Sequence, residues 1–499
     1  MFEKITPEEA GISSAYVKKF IEKIEERGAI MHSILLVRHG KVFAEHYWAP
    51  FNENTLQRMY SQTKSYTSIA LGLLEEEGKL SFDDKIVDHF PEKINGELPE
   101  HLKELRVKDM LTMTTAGSPR KWFVEGNPDR TNHYFHGRNY THAPATYWKY
   151  DSAGSQVLAN LAEKLAGMKL IDYLKLKLFD KMGTFQNARV LMCANGDSWG
   201  DSALLCTTRD MASCGQLLMQ GGKWNGEQLI NEEFVKIATS PLVNNRTNWT
   251  RHCLDAEGYG YQIWRAPGNG FAFVGMGDQL TICLPDKDFV FVCTADHQAP
   301  ADAGEKPVRT MLLNALYDFI VDNLGDAPLP EDKLAYKDYI AATEGLELCA
   351  AYGAEDSPLR ERINGIEYEC EDNAMGWKRF KFVFKDRTSG ELHYTNAQGD
   401  KVLPFGINRN EYGYFPQLGY SNEYGSVATT DGFMYKDAVS LAWMDDNKLI
   451  LEVKIIDIYL GTMSGVFGFN GDYMAAHFEK AAEAFLGEYQ GEFCGKAVR

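Results

Sequence analysis

Ser61 and Lys64 stand three positions apart in the stretch "YSQTK", ahead of apolar residues at Tyr66, Ile69, Ala70 and Leu73 that recur with helical spacing until Gly78. On a helix, positions i and i+3 share a face, so the lysine amine can reach the serine hydroxyl. Unbonded backbone N–H groups at a helix start favour developing negative charge. A hydroxyl, an adjacent base and a local positive field are what nucleophilic catalysis requires. The plainer alternative is a serine cap followed by a surface lysine. The chain carries its own control in "SPRK", Ser118 to Lys121, which has the same spacing but no apolar run behind it and reads as a loop.

An amphipathic helix is expected over about 14–26, followed by a hairpin in "SILLVRHGKVFAEHYW" that turns at His39-Gly40-Lys41. Residues from about 61 to 240 read as mostly helical, with stops at Gly78, Gly167 and Gly183. Strand patterns return in "GYGYQIWRA", "GFAFVGMG", "QLTICLP" and "FVFVCTAD", with turns too short for anything but antiparallel neighbours. A helix, "RTMLLNALYDFIVDNL", closes this region. The expected organisation is a domain over 1–325 with a helical lobe at about 80–240, a linker at 326–333 and a β-rich domain over 334–499. Within the last, a helical lead at 334–346 precedes alternating strands, with a barrel as one way to close them, and a helix is expected at 473–486.

The 499 residues carry 52 Lys+Arg against 70 Asp+Glu, a formal net charge of -18. That charge opposes binding to nucleic acid or anionic membrane. The N-terminus lacks the order of a secretory signal and no apolar stretch is long enough to span a bilayer, so the chain as given reads as cytoplasmic. The nine cysteines show no C-x-x-C spacing and several lie in apolar runs, which implies buried thiols rather than disulfides or zinc. His133, His136 and His142, at spacings of 3 and 6, match no zinc pattern and read as a pocket wall. His297 reads as a solvated or capping residue. No metal or cofactor is expected, and the oligomeric state is left open.

In order, the hairpin, "YSQTKSYTSIALGLLEEEGKLSFDDKI", "VKDMLTMTTAG", "YWKYDSAGSQVLANLAEKLAG", "SALLCTTRDMASCGQLLMQGGKWNGEQLI" and "FVGMGDQLTICLPDKDFVFV" resemble the serine β-lactamase-like family. Its members include class C β-lactamases, D-alanyl-D-alanine carboxypeptidases and family VIII esterases, and the resemblance covers about residues 5–325. It implies an α/β (α+β) fold of the β-lactamase/transpeptidase type, an antiparallel sheet flanked by helices with a helical lobe. It also implies an acylated nucleophile at Ser61 with Lys64 as base or relay. "YDS", Tyr150 to Ser152, matches the family's Tyr-x-Asn/Ser motif, in which the tyrosine takes the serine proton and returns it to the leaving group, with Lys64 as the cation that favours this. A second match at "YSN", Tyr420 to Asn422, lies in the added β-domain, and segment order favours Tyr150. "GMGD", Gly275 to Asp278, occupies the third motif's place, where the N–H of Asp278 would join that of Ser61 as an oxyanion donor. "TTRDMA" is another landmark, in which Thr207 and Asp210 fit a capping box.

Where carboxylate-binding relatives have Lys-Thr-Gly, Gly275 and Met276 offer neither cation nor hydroxyl. The expectation is therefore a serine hydrolase for a small neutral or apolar ester or amide rather than an efficient β-lactamase. Arg120, Lys121, Arg130 and Arg138 are the basic residues that could restore an anion site. Alternatives are an acyltransferase working through the same acyl-enzyme, a D-amino-acid amidase or peptidase, or a non-catalytic binding protein that keeps the fold.

Overall fold

The computed structural model describes residues 2–26, 28–119, 121, 127–137, 140–246, 254, 256–298, 307–418, 434–482 and 485–498. The described residues up to 295, with 307–346, form one unit, while 296–298 and those from 347 onward form a second.

The first unit is built on strands β1 (Glu3–Lys4), β2 (Met31–Arg38), β3 (Lys41–Tyr47), β4 (Trp264–Ala266), β5 (Gly270–Gly275), β6 (Gln279–Leu284) and β7 (Phe289–Ala295). They form one sheet in the order β1-β3-β2-β7-β6-β5-β4, antiparallel except for the short β1. His39 and Gly40 both take positive φ, 51° and 68°, which gives the two-residue turn joining β2 to β3 the twist a hairpin needs. Every residue of β2 and β7 is buried. Alternation along these strands sends Leu35, Val37, Val290 and Val292 into one core and Ile34, Leu36, Phe289 and Phe291 into another. Unbroken apolar runs mark a sheet covered on both faces.

One face is covered by α1 (Ser14–Glu26), and the other carries the helical lobe with α2 (Thr63–Glu76), α3 (Arg130–His136), α4 (Ser152–Ala166) and α5 (Thr208–Met219). Gly167 and Gly183 end their helices in the left-handed conformation, at φ 69° and 70°. The capping box of α5 forms as expected, Thr207 with Asp210.

Three expectations for this unit are corrected. The helix read as opening the β-domain, α6 (Lys333–Thr343), belongs to the first unit: it packs on α1, and Tyr339 is buried in the same core with its hydroxyl 2.5 Å from His46 Nε2. The stretch 326–333 is accordingly a connector within that unit, tied back by Gly325 N–H to Gly11 O and Leu329 N–H to Glu8 O, and the break between units falls after Leu346. In "GYGYQIWRA" only Trp264–Ala266 is strand, because Gln262 turns the chain at φ 58°.

The second unit contains β8 (Tyr368–Cys370), β9 (Arg379–Phe384), β10 (Ser389–Asn396), β11 (Gly399–Ile407), β12 (Glu411–Tyr414), β13 (Lys436–Asp445), β14 (Lys448–Ile456), β15 (Leu460–Asn470), β16 (Tyr473–Ala482) and β17 (Gly491–Ala497). The order β11-β10-β9-β8-β17-β16-β15-β14-β13 closes into a nine-stranded barrel among the described residues through Gly406↔Ser440 and Ile407↔Leu441, and β12 pairs with the other half of β13. Trp377 fills the interior, stacked on Tyr394 at 4.4 Å and Phe493 at 5.2 Å. The expected helix at 473–486 is instead β16. Its Ala, Glu and Lys content suits a helix, but Met474, Ala476 and Phe478 alternate inward, and neighbours on both sides fix it as a strand.

Candidate active site

Ser61 sits in a single turn, Tyr60–Gln62, that runs directly into α2. Tyr60 is buried at a φ of 45°, a conformation a bulky residue adopts only where its surroundings enforce it. The enforcing contacts are visible. The Arg58 guanidinium lies 4.3 Å from the Tyr60 ring and 4.4 Å from Trp199, and Arg58 Nε donates to Ser202 O at 3.0 Å. Gly275, at the end of β5, lies so close that a Cβ there would come within 2.2 Å of Met59 O.

Lys64 is on the first turn of α2 with its side chain only 1% exposed. Its Nζ donates to Ser61 Oγ at 2.9 Å and to Asp201 O at 2.7 Å. The Asp201 carboxylate, fully buried, has Oδ2 3.9 Å from Lys64 Nζ and accepts from Arg130 Nη1 through Oδ1 at 2.9 Å. A buried ammonium needs such partners, since uncompensated burial of charge is costly. Arg130 also contacts Gln156 Oε1 at 3.2 Å, so this buried cation is engaged with the groups behind Lys64.

The ring of Tyr150 has its centroid 5.2 Å from Lys64 Nζ. It is stacked on Trp264 at 5.7 Å and 22°, beside Trp148 and Tyr259. Its position is set by Asp151, the cap of α4, whose carboxylate accepts from Gly154 N, Thr115 Oγ1 and Tyr134 OH. Burial pushes the Asp151 carboxyl up to about 6. Ser152 is the first helical residue, and the cap is Asp151. Gln262 ties the surrounding elements together, with Nε2 donating to Met110 O and Leu111 O, Oε1 accepting from Ser155 Oγ and its carbonyl accepting from Ser65 Oγ.

Met276, Gly277 and Asp278 form the turn between β5 and β6, with Gly277 at φ 72° and Asp278 at 66°. The Asp278 carboxylate accepts from Arg309 Nε, and its carbonyl accepts from Cys293 Sγ. Ser61, Lys64 and Tyr150 are therefore brought together, with Gly275 abutting the serine's turn. Lys121 is an exposed loop residue, while Arg120, Arg138 and the Tyr420-to-Asn422 match lie outside the described residues. His133 meets Lys121 O, His136 meets the backbone of Lys93 and Asn95, and His142 lies against Tyr147. His297 is half-buried. Among the described residues no cluster of His, Cys, Asp and Glu is arranged for a metal, eight cysteines are free, and no helix is long and apolar enough to cross a membrane. Sequence reasoning missed Asp201, Gln262 and Trp264; only the dense run of aromatics around Tyr259 and Trp264 hinted at a site wall.

The sequence is 23% identical over 220 residues to the 6-aminohexanoate-dimer hydrolase of Paenarthrobacter ureafaciens, a match covering 41% of this chain and spanning just over half, 56%, of that relative. Its fold is similar to that of a penicillin-binding protein homolog from Caulobacter crescentus, with a TM-score of 0.50, 16% identity, and 61% of this chain and 98% of the other covered. A solved hydrolase with promiscuous acyltransferase activity superposes with a TM-score of 0.50 at 14% identity, over 61% of this chain and 98% of its own. The profile of the family described as Beta-lactamase matches residues 17–315, more than half of the sequence, and the chain belongs to that family.

Proposed function

We propose that this chain is a serine hydrolase that forms an acyl-enzyme at Ser61 and acts on a neutral or apolar ester or amide. The observation that carries the reading is the 2.9 Å hydrogen bond between Lys64 Nζ and Ser61 Oγ, on a lysine held out of solvent beside Tyr150. In the proposed cycle the Lys64 and Tyr150 pair takes the proton of Ser61 as Oγ attacks the carbonyl carbon. Backbone N–H groups of Ser61 and Asp278 hold the oxyanion. Tyr150 returns the proton to the leaving oxygen or nitrogen, which departs as an alcohol or amine. Water, deprotonated by the same pair, then releases the acid and restores Ser61. The hydrolase name of the matched relative fits this chemistry.

Specificity for a neutral reacting centre is supported by Gly275, Met276 and Gly277, which carry no cation, and by the engagement of Arg130 with Asp201. A carboxylate next to the scissile carbonyl would be buried without a partner, at a cost of several kcal/mol. A p-nitrophenyl ester of a short acyl chain is expected to exceed nitrocefin and penicillins in kcat/KM by roughly two orders of magnitude. A serine-directed fluorophosphonate read by intact mass tests the nucleophile, with one adduct expected, at Ser61. Efficient penicillin hydrolysis would overturn the specificity, and turnover without a labelled Ser61 would overturn the mechanism.

A further inference from the structure

We infer that Arg309 is a positioning residue for the acyl transfer: paired with Asp278, it holds the turn whose backbone N–H receives the oxyanion. This rests on the proposed serine hydrolase reading, in which attack of Ser61 Oγ opens the carbonyl double bond and moves an electron pair onto its oxygen. The Asp278 N–H can serve that oxygen only if the turn 276–278 keeps its shape beside Ser61. Its place there is fixed by the close approach of Gly275 to Met59 O and by Thr281 Oγ1, which donates at 3.3 Å to Oε1 of Gln62, the residue after Ser61. Its shape is harder to keep. Asp278 takes a φ of 66°, in the left-handed region that a residue with a Cβ seldom enters unless it is held there.

Three contacts brace the turn. Gln279 Nε2 donates to Met276 O at 3.0 Å, Cys293 Sγ donates to Asp278 O at 3.2 Å, and the Arg309 guanidinium donates through Nε to Asp278 Oδ1. The first two grip carbonyls on either side of Gly277, and Arg309 grips the Asp278 side chain. The side chains of Arg309 and Asp278 are only 12% and 2% exposed. The guanidinium therefore anchors the residue and also neutralises a buried carboxylate that would otherwise stand beside the developing oxyanion. Arg309 is delivered by the helix Pro307–Ala315, in which Leu312 and Leu313, three and four positions on, are buried in the core shared with α1. Positions i, i+3 and i+4 share a face, so the burial of these leucines turns Arg309 toward the sheet.

The test is stopped-flow acylation by p-nitrophenyl butyrate in the parent, Arg309→Met, Asp278→Gly and the double variant. Arg309→Met is expected to lower the acylation rate constant by roughly tenfold to a hundredfold, part of what losing an oxyanion donor costs, with the dissociation constant of the ester complex within about twofold of the parent's. Asp278→Gly carries no carboxylate and adopts positive φ freely, so the double variant should acylate within about threefold of Asp278→Gly alone. Arg309→Lys keeps the charge but not the planar donor; its rate should fall between those of the parent and Arg309→Met, and it supplies the comparison if the Met variant does not fold. Inhibition by n-butylboronic acid, whose adduct with Ser61 presents a boron-bound oxygen to the same donors, should weaken in Arg309→Met by about the factor lost in acylation. A purely structural role would lower the thermal midpoint without linking these two factors. Parent-like acylation in a folded Arg309→Met, or a double variant as slow relative to Asp278→Gly as Arg309→Met is to the parent, would overturn the inference. Turnover of the ester by Ser61→Ala at the parent's rate would sink the hydrolase reading itself, whereas a labelled Ser61 whose acylation ignores Arg309 sinks the inference alone.

Discussion

The chain contains two Ser-x-x-Lys tetrads in its first unit, and the structure treats them in opposite ways. Ser61 and Lys64 lie on a turn that continues as α2, with the amine buried and hydrogen-bonded to the hydroxyl. Ser118 lies in an irregular segment and Lys121 is exposed, its carbonyl taken by His133. Pro119 is a sufficient local reason, since it disfavours helical geometry for Ser118. The spacing is identical; what separates the two is whether a helix makes it a distance and whether the surroundings desolvate the amine. Asp201 and Arg130 behind Lys64 have no counterpart for Lys121 among the described residues.

The comparison breaks most sharply at the serines. Ser61→Ala is expected to abolish both probe labelling and turnover, while Ser118→Ala stays within about twofold of the parent, as surface changes usually do. Residual wild-type turnover in Ser61→Ala would move the nucleophile elsewhere. The lysines come next. Lys64→Ala and Tyr150→Phe should each slow acylation by orders of magnitude and combine non-additively, because both serve one proton transfer, whereas Lys121→Ala should do little. Fully multiplicative losses in the double variant, measured by stopped-flow acylation, would reduce one of the pair to a structural part.

A smaller effect sharpens the role of the support. Burial raises the Asp151 carboxyl to about 6 from an ordinary value near 3.9, so the folded state favours the protonated form. The resulting stabilisation is fully present below the unfolded value and is lost as pH rises through about 6, on the order of 3 kcal/mol in all. Asp151→Asn keeps an oxygen for the Gly154 N–H and should flatten the dependence of the urea midpoint on pH between about 4 and 6 relative to the parent. An unchanged slope would show that this carboxyl is not its source. Last, Gly275→Ala drives a methyl against Met59 O and should cost roughly 1–3 kcal/mol while displacing the turn that carries Ser61. Parent-like thermal stability together with parent-like kcat/KM would show that the contact does not position the nucleophile.

Legibility in the sequence followed the range of the interaction. The β2–β3 hairpin, the glycine stops and the capping box at Thr207 are local devices, and the residues that form them are neighbours in the chain. The reading of 473–486 as helix failed because alanines and glutamates favour a helix locally, while hydrogen bonds to β15 and β17 come from distant segments. The assignment of 334–346 to the barrel failed for a similar reason: a proline-bearing stretch looks like a linker, and only the contact of Tyr339 with His46 shows where the helix belongs.

By itself the sequence determined the type of fold, the second all-β unit and the identity of Ser61, Lys64 and Tyr150 as one candidate set, because motif order and hydrophobic period are properties of the chain. Tertiary structure alone decided what surrounds them. Asp201 and Arg130 reach Lys64 from distant segments, Gly275 abuts Met59 across the sheet edge, and Arg309 meets Asp278. Desolvation and charge pairing depend on every group that comes near in space, and no spacing along the chain records which groups those will be.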